Sequence, residues 1–491
     1  MLISLVGAFN IIMRYKTVGI GKSGRIMFIL FLLTGLYSLA PTGSRAEERS
    51  GAQATSDTRG GASTAGKTGL KLRNKALLAQ RSATSSSADS STKIKQNNSA
   101  NPGSDAKFAY PSCSNKMHSY FRRRYYLTFF SPIYSCLFLL ALLQLGLMAK
   151  LRNKFSKFNS YALQVFGTTS AFYFIAYMIK FPLIFYSGFL LEKEFSLSQQ
   201  NLASWALDEA KHFLLGFLLV PLITVGFLLV RKYRIGWHLP VWALLSVMTA
   251  FLVFVEPLVV DPLFNHFTPL ADSPLKRNIE ALCLNAGIDS PTILVADKSK
   301  QTKKINAYVA GFSGSKRIIL YDTLLKDLPD DQILAVLAHE LGHYVFKHVV
   351  FGTIMAIAGL YPLMLLCEIV SNRLSRLRAL PRAWGIKGNS DPAFIAVWCL
   401  AIWSTSLFIS PIESYISRYM ETQADSYSLE ETKNPMAVAR LFYTLSQVNL
   451  TDPDPPAFFE FWFYSHPSLK HRIDHALQFA RQAPNIQKGG Q

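Results

Sequence analysis

The stretch His339-Glu340-Leu341-Gly342-His343, followed by the apolar run from Val349 to Val370, decides how this chain folds. Helical residues four apart share a face, so both imidazoles can reach one ion. Glu340 then lies beside that ion, where a carboxylate can accept a proton from a water that the ion polarises. The pattern predicts a metal-binding helix that runs on through His348 into a membrane span. On that helix His348 lies about 140° round from His343, which puts it outside the ligand set.

The composition indicates an integral membrane protein. Of 491 residues, 50% are hydrophobic and only 17% are charged, below the ~25% of soluble domains. The net charge is +20, but the basic residues lie largely at the ends of apolar runs. That placement fits anchoring in a lipid bilayer and argues against nucleic acid as a partner. The five cysteines are scattered, and no C-x-x-C predicts a zinc ribbon or a disulfide framework.

Residues 1–46 have the pattern of a signal peptide or of an uncleaved N-terminal anchor. Basic residues precede an apolar core from Ile26 to Ala40, and Ser44-Arg45-Ala46 is a small-x-small cleavage site. The core is short for a span unless it extends towards the N terminus. Residues 47–120 are rich in Ser and Thr and cannot bury enough apolar surface to fold, so we predict a disordered linker.

Six apolar runs follow, each long enough to cross ~30 Å of hydrocarbon as a helix. They extend from Tyr126 to Met148, Tyr161 to Tyr186, Phe213 to Val230, Leu239 to Val259, Val349 to Val370 and Ala393 to Ser410. They predict four transmembrane helices in 121–260, a polar protease domain in 261–348, two further spans in 349–412 and a mostly helical tail in 413–491.

The polar domain has a mixed pattern. Short strands are predicted at Thr292 to Ala296, Ile305 to Phe312 and Arg317 to Tyr321, bounded by Gly, Ser and Lys. The middle strand carries Asn306-Ala307-Tyr308. An edge strand beside a metal could hold an extended peptide through main-chain hydrogen bonds. The fold class is therefore mainly α, with membrane helices and a small α+β domain.

A catalytic zinc needs a third protein ligand, and the best candidate is Glu421, just past the sixth run. Asp425 lies one turn further on, where a second carboxylate can orient a ligand imidazole. A solvated acidic turn is the alternative for this segment. In the tail, His466 and Arg472 could donate hydrogen bonds to the negative charge that builds on a carbonyl oxygen during amide hydrolysis.

At this point the sequence resembles the type I CAAX prenyl endopeptidases, integral-membrane zinc metalloproteases of the gluzincin type. The likeness covers about Tyr126 to Ala480. It is carried by Glu192-Lys193-Glu194-Phe195, by Pro262 to Leu270, by Asn306-Ala307-Tyr308, by Ile318 to Leu325, by the zinc motif, by Glu421 to Asp425 and by Tyr464-Ser465-His466-Pro467. The shorter HtpX-like membrane proteases share the zinc motif but are more distant.

The resemblance implies a helical barrel in the membrane that encloses a chamber, capped by the zinc protease domain. It implies one Zn²⁺ per chain, held by His339, His343 and Glu421. Glu340 would be the base, and Asp425 would support a ligand.

The resemblance also assigns contacts with the substrate or its oxyanion to Asn306, His466 and Arg472. Two features depart from the family. Its usual first span, of seven, is replaced here by the signal-like segment and linker, and its endoplasmic-reticulum retrieval signals are missing from the ending Lys488-Gly489-Gly490-Gln491.

We therefore expect a membrane zinc metalloendopeptidase acting on a peptide or protein. The substrate is either a prenylated protein with a C-terminal C-a-a-X motif or, for a general quality-control protease, misfolded or short membrane polypeptides. The rival of another class is a non-enzymatic transporter or scaffold with a relic metal site, in which an intramembrane charge such as Lys180 marks a pathway.

The expected location is the bacterial inner membrane, but the side that the metal site faces is open. Loops after the first, third and fifth runs carry most of the Lys and Arg, which places the protease domain outside the cytoplasm, although Arg122 to Arg124 oppose this trend. Family precedent places it on the cytoplasmic side, which requires the N-terminal segment to be kept as a span.

Overall fold

The computed structural model describes residues 108–233, 236–255, 259–310, 316–376 and 384–488. From Tyr110 onward these residues belong to one compact unit. The predicted signal peptide or anchor and most of the predicted linker lie outside the described residues.

The described part is mainly helical. Its helices are α1 (Asn115–Gln144), α2 (Leu147–Phe155), α3 (Tyr161–Phe185), α4 (Leu191–Glu194), α5 (Leu202–Tyr233), α6 (His238–Val255), α7 (Pro274–Asn285), α8 (Asp322–Asp327), α9 (Asp330–Val345), α10 (His348–Arg376), α11 (Ile395–Thr432), α12 (Pro435–Asn449), α13 (Ala457–Phe463) and α14 (Leu469–Lys488). A π-helical turn, Tyr186–Leu190, joins α3 to α4.

Five helical segments of the described chain are long and apolar enough to cross a membrane: α1, Tyr161–Glu194, α5, His348–Arg373 and Pro392–Thr432. They coincide with five of the six predicted spans. The remaining predicted run, Leu239 to Val259, is the fourth along the chain and falls on α6, whose apolar part His238–Val253 is shorter than the other spans. Large apolar side chains such as Leu218, Val247 and Phe408 point outward and are exposed, as surfaces that face lipid require.

The polar domain contains a four-stranded sheet in the order β1-β2-β4-β3. The strands are β1 (Phe267–Pro269), β2 (Thr292–Ala296), β3 (Ala307–Ala310) and β4 (Arg317–Tyr321). β1 and β3 run antiparallel to their neighbours, and β2 and β4 pair in parallel. β3 therefore forms an edge of the sheet, which confirms the predicted small α+β domain with a short edge strand; β1 was not predicted.

The chain around α1 differs from the predicted linker. Ser114 caps α1 by accepting a hydrogen bond from the Met117 amide at 3.2 Å, so the helix begins at Asn115, before the predicted boundary at residue 120. Capping of this kind satisfies an amide that has no partner within the helix.

The helix of the histidine motif does not continue into the membrane span, so that prediction was wrong. α9 ends at Val345, and α10 begins at His348. Lys347 between them has φ of 54°, a left-handed backbone conformation that no regular right-handed helix contains. This break changes the direction of the chain. The position of His348 therefore does not follow from the helical spacing of α9.

α9 packs closely against the unbroken 38-residue helix α11. A Cβ on Gly342 would lie 3.0 Å from the Ala424 Cα and 3.1 Å from the Tyr427 Cβ. Glycine therefore permits this helix–helix approach, since bulkier side chains would separate the backbones. Ser428 adds a hydrogen bond from its hydroxyl to the Ala335 carbonyl at 2.8 Å across the same interface.

Candidate metal centre and active site

Three donor side chains converge where α9 meets α11. The His339 Nε2 and His343 Nε2 atoms are 3.1 Å apart. Each lies close to the Glu421 carboxylate, at 3.3 Å for His339 and 3.5 Å for His343. Among the described residues, these three form the group of His, Cys, Asp or Glu side chains that can hold a metal ion.

The spacing of these donors fits a metal ion. Bonds of about 2.0–2.1 Å in a tetrahedral arrangement separate neighbouring donor atoms by roughly 3.3 Å, close to the three distances above. Glu421 is fully buried, and a buried carboxylate is costly unless a cation balances it. Two imidazoles and one carboxylate leave a fourth position open, as catalytic zinc sites do.

The outer nitrogen of His339 is held by an acidic side chain. Asp425 Oδ1 lies 2.9 Å from the His339 Nδ1. Arg472 in turn donates to Asp425 through its Nε at 2.8 Å and its NH2 group at 2.5 Å. This two-bond contact between a guanidinium and a carboxylate fixes the orientation of Asp425. Arg472 was predicted to contact the substrate or its oxyanion, and two of its N–H donors bind Asp425 instead.

The proposed base and substrate contacts line one cavity beside this centre. Its wall includes Asn306, His339, Glu340 and His466. Glu340 is 3% exposed, and His466 Nε2 lies 3.3 Å from Glu421 Oε1. The structure therefore brings the base candidate Glu340, the substrate-contact candidates Asn306 and His466 and the ligand candidate His339 together around one cavity.

The other two residues of the predicted peptide-binding segment are buried in the edge strand. Ala307 and Tyr308 pair with Leu320 and Ile319 of β4. The Tyr308 hydroxyl donates to the buried Asp261 carboxylate. Their side chains stabilise the strand, which leaves its main chain as the part available to a peptide.

The surroundings of the three histidines of the site shift their pKa values in different directions. Burial lowers the pKa of His343 well below its ordinary value and lowers the pKa of His466 to about 4, so both rings are neutral at pH 7. Burial also opposes protonation of His339, but hydrogen bonds to Asp425 and Glu421 outweigh it and raise the pKa of His339. The same two carboxylates would favour a metal cation in place of that proton.

Two contacts of the site were missed in the sequence. His348 Nδ1 lies 2.8 Å from His343 Nδ1, a contact that was not predicted, although His348 stays outside the ligand group. Arg418 donates to the carbonyl groups of Glu460 and Tyr464 at 2.7 and 2.8 Å, and so holds the segment that carries His466 against α11. No spacing rule could have identified Arg418, because its partners are main-chain atoms of another element.

The fold and the site define a membrane-embedded metalloprotease. Residues 269–480 match the model of peptidase family M48, and residues 92–266 match the CAAX prenyl protease N-terminal region, described as five membrane helices. The chain belongs to the M48 family, in the branch of the type I CAAX proteases.

Named relatives agree with this placement. An uncharacterized metalloprotease, YhfN of Bacillus subtilis, is 32% identical over 320 residues, which are 64% of this chain and 73% of that protein. CAAX prenyl protease 1 of Saccharomyces cerevisiae is 29% identical over 312 residues, 60% of this chain and 68% of the relative. The crystal structure of S. mikatae Ste24p superposes with a TM-score of 0.67 at 25% identity, covering 76% of this chain and 92% of that one.

These findings confirm the predicted fold and class of function. The chain is a multi-pass membrane protein with, in its described part, five helices long enough to cross the bilayer and a small α+β protease domain, and its fold is similar to that of Ste24p. It is a metalloendopeptidase, and the family implies a metal at the His339, His343 and Glu421 site.

Proposed function

We propose that this metalloendopeptidase uses zinc held by His339, His343 and Glu421, with Glu340 as the general base, and that it cleaves peptides near a C terminus of the C-a-a-X type. The observation that carries the proposal is the convergence of these three donors beside the cavity that Glu340 lines. The zinc ion, when bound, supplies a Lewis acid that polarises water and the scissile carbonyl.

Each protein group then has a distinct task. Glu340 accepts the proton from the attacking water and passes it to the leaving amine, a role that needs a carboxylate next to the metal. His466 donates a hydrogen bond to the developing charge on the carbonyl oxygen. Arg472 and Asp425 keep the His339 ring in place, which makes Arg472 a positioning residue in this mechanism.

The substrate would bind as an added strand. β3 is an edge of the sheet, and Asn306 precedes it at the cavity wall. Apolar aromatic side chains, among them Phe121, Tyr125 and Phe459, line the same cavity. An extended peptide with apolar residues and an attached prenyl group suits such walls, and the names of several relatives point to the same substrate class.

We further propose that the protein lies in a bacterial inner membrane with its metal site facing away from the cytoplasm. The Bacillus relative supports a bacterial setting. Lys150 lies in α2, just after the first membrane helix, and Arg231 and Arg373 lie in the last turns of α5 and α10. Because α10 begins at His348 beside the metal site, its basic end lies far from that site. Cytoplasmic loops carry such an excess of Lys and Arg.

The catalytic proposal is tested with Glu340→Gln, which keeps the side-chain volume but removes the base. Peptidase activity should fall by about 10²–10⁴-fold, while stoichiometric zinc, measured by metal analysis of the purified protein, should remain. Glu430→Gln is the matched control, because Glu430 is an exposed residue of α11. Wild-type activity in Glu340→Gln would refute the assigned base, and a zinc-free parent would refute the assigned metal.

The substrate proposal is tested by assaying a farnesylated C-a-a-X peptide and the same peptide without the lipid, with mass spectrometry to locate the cleaved bond. Faster cleavage of the farnesylated peptide, three residues from its C terminus, supports the proposal. Equal cleavage of both peptides at internal bonds would instead identify a quality-control protease.

A further inference from the structure

His348 lies outside the ligand set, yet it contacts a ligand directly. It is 3% exposed, and its Nδ1 atom lies 2.8 Å from the Nδ1 atom of His343. Its other nitrogen, Nε2, lies 3.2 Å from the Gln423 side-chain oxygen. Gln423 is two residues beyond Glu421 on α11, so the contact runs from one ligand to the helix that carries another.

The proton positions along this contact follow from the chemistry of its ends. His343 presents Nε2 to His339 and Glu421, so this nitrogen must carry a lone pair to bind a metal. The single proton of the neutral ring is then on Nδ1, which donates to His348 Nδ1. His348 in turn carries its proton on Nε2 and donates it to the Gln423 oxygen, which can only accept.

The two histidine ligands therefore have different outer partners. His339 Nδ1 faces the carboxylate of Asp425, whereas His343 Nδ1 faces a neutral imidazole. A ligand histidine keeps its ring orientation and tautomer through the partner of its outer nitrogen. The sharp break at Lys347 is what returns the His348 ring to His343 after α9 has ended.

We infer that His348, held in turn by Gln423, is a positioning residue that fixes the tautomer and ring plane of the ligand His343 and thereby sets the metal affinity of the site. This inference rests on the proposed zinc ligation. It assigns to His348 no contact with the substrate and no share in proton transfer during the reaction.

The test compares His348→Phe, which keeps a ring but removes the acceptor, with His348→Asn, whose side-chain oxygen can replace Nδ1. Zinc affinity is measured on the full chain in detergent by competition with a chromogenic chelator. The visible spectrum of the Co²⁺-substituted protein reports the ligand geometry. His348→Phe should bind zinc about 10–100-fold more weakly and show an altered Co²⁺ spectrum. His348→Asn should recover most of the affinity and the parental spectrum.

His471→Phe is the control, since the His471 side chain is 64% exposed and should leave both readouts unchanged. Should His348→Phe fail to fold, Gln423→Met decides the matter, with a loss near the lower end of the same range expected.

The inference is overturned if His348→Phe matches the parent in zinc affinity and Co²⁺ spectrum, or if His348→Asn is as defective as His348→Phe. A parent chain that binds no zinc would overturn the proposed function as well. Normal zinc binding by the parent together with an unaffected His348→Phe would leave the proposed function standing and refute only the inference.

Discussion

Replacing Gly342 by alanine tests whether the contact between α9 and α11 sets the metal site. The added Cβ would lie 3.0 Å from the Ala424 Cα and 3.2 Å from its carbonyl oxygen, both backbone atoms. Ordinary contacts begin at 3.4 Å, so the helices must separate by at least 3.4 − 3.0 = 0.4 Å. Overpacking of this kind costs about 1–3 kcal/mol, and the better helix propensity of alanine offsets about 1 kcal/mol of that.

The net change in the free energy of unfolding should therefore be small, about 0–2 kcal/mol destabilising. The affinity for zinc should change more than the free energy of unfolding does. Distances between a metal ion and its protein ligands tolerate changes of only about ±0.2 Å. Two of the ligands lie on α9 and the third lies on α11, so separating these helices moves the ligands apart. Loss of a contact that supports a metal ligand weakens metal binding by roughly 10-fold or more. We expect Gly342→Ala to weaken zinc binding by at least that factor.

The assay is chelator competition for zinc on the purified chain, paired with thermal unfolding of the metal-free protein. The matched control is Gly226→Ala on α5, since a Cβ at Gly226 would meet no atom within 4 Å. If Gly342→Ala binds zinc as tightly as Gly226→Ala does, the close approach of the two helices does not position the ligands and the reasoning fails.

Two further outcomes follow from charges and thiols outside the metal site. Lys304→Met removes a buried cation 2.9 Å from Glu192 and should destabilise the chain by at most about 3–5 kcal/mol in thermal or denaturant unfolding, because Arg124 remains 4.0 Å from the same carboxylate. Lys300→Met breaks only an exposed pair and should cost about 0–1 kcal/mol; equal effects would contradict this. Exposed Cys113 should react in intact cells with a membrane-impermeant maleimide. Cys283 should not react, because it is buried and burial raises its pKa to about 12. If Cys113 is protected in cells but labelled in inverted vesicles, the protease domain lies in the cytoplasm.

The parts of the fold that the sequence predicts are those fixed by local pattern. β2 and β4 have the predicted bounds because a short apolar run between polar residues has few other ways to be buried. β1 escaped prediction because it is three residues long and contains Pro269. A proline lowers the strand signal, although it is tolerated on an edge strand.

The candidate site divides in the same way. His339, Glu340 and His343 belong to one helical turn, so their spacing alone predicts that they meet. Glu421 could be proposed from its place in the chain, and the structure brings it within 3.5 Å of both imidazoles.

Contacts set by tertiary packing gave no such signal. His348 stays outside the ligand group, as predicted, but its contact with His343 was not predicted, because the helical angle used to place it does not apply once the helix stops at Val345. The residue that reverses the backbone is Lys347, which carries none of the glycine or asparagine preference that normally marks such a position. The hydrogen bonds from Arg472 to Asp425 join residues on two different helices, so the residue spacing within either helix cannot predict them.

The metal site also links the protease domain to the membrane. α11 extends unbroken from Ile395 to Thr432, so the helix that is apolar enough to cross the bilayer also carries Glu421 and Asp425. A rotation of α11 by one residue, about 100°, would carry Glu421 away from the ion and Asp425 away from His339 together. Binding of a metal by α9 and α11 therefore favours one rotation of the membrane helix, and the packing of that helix in turn decides whether the metal can bind.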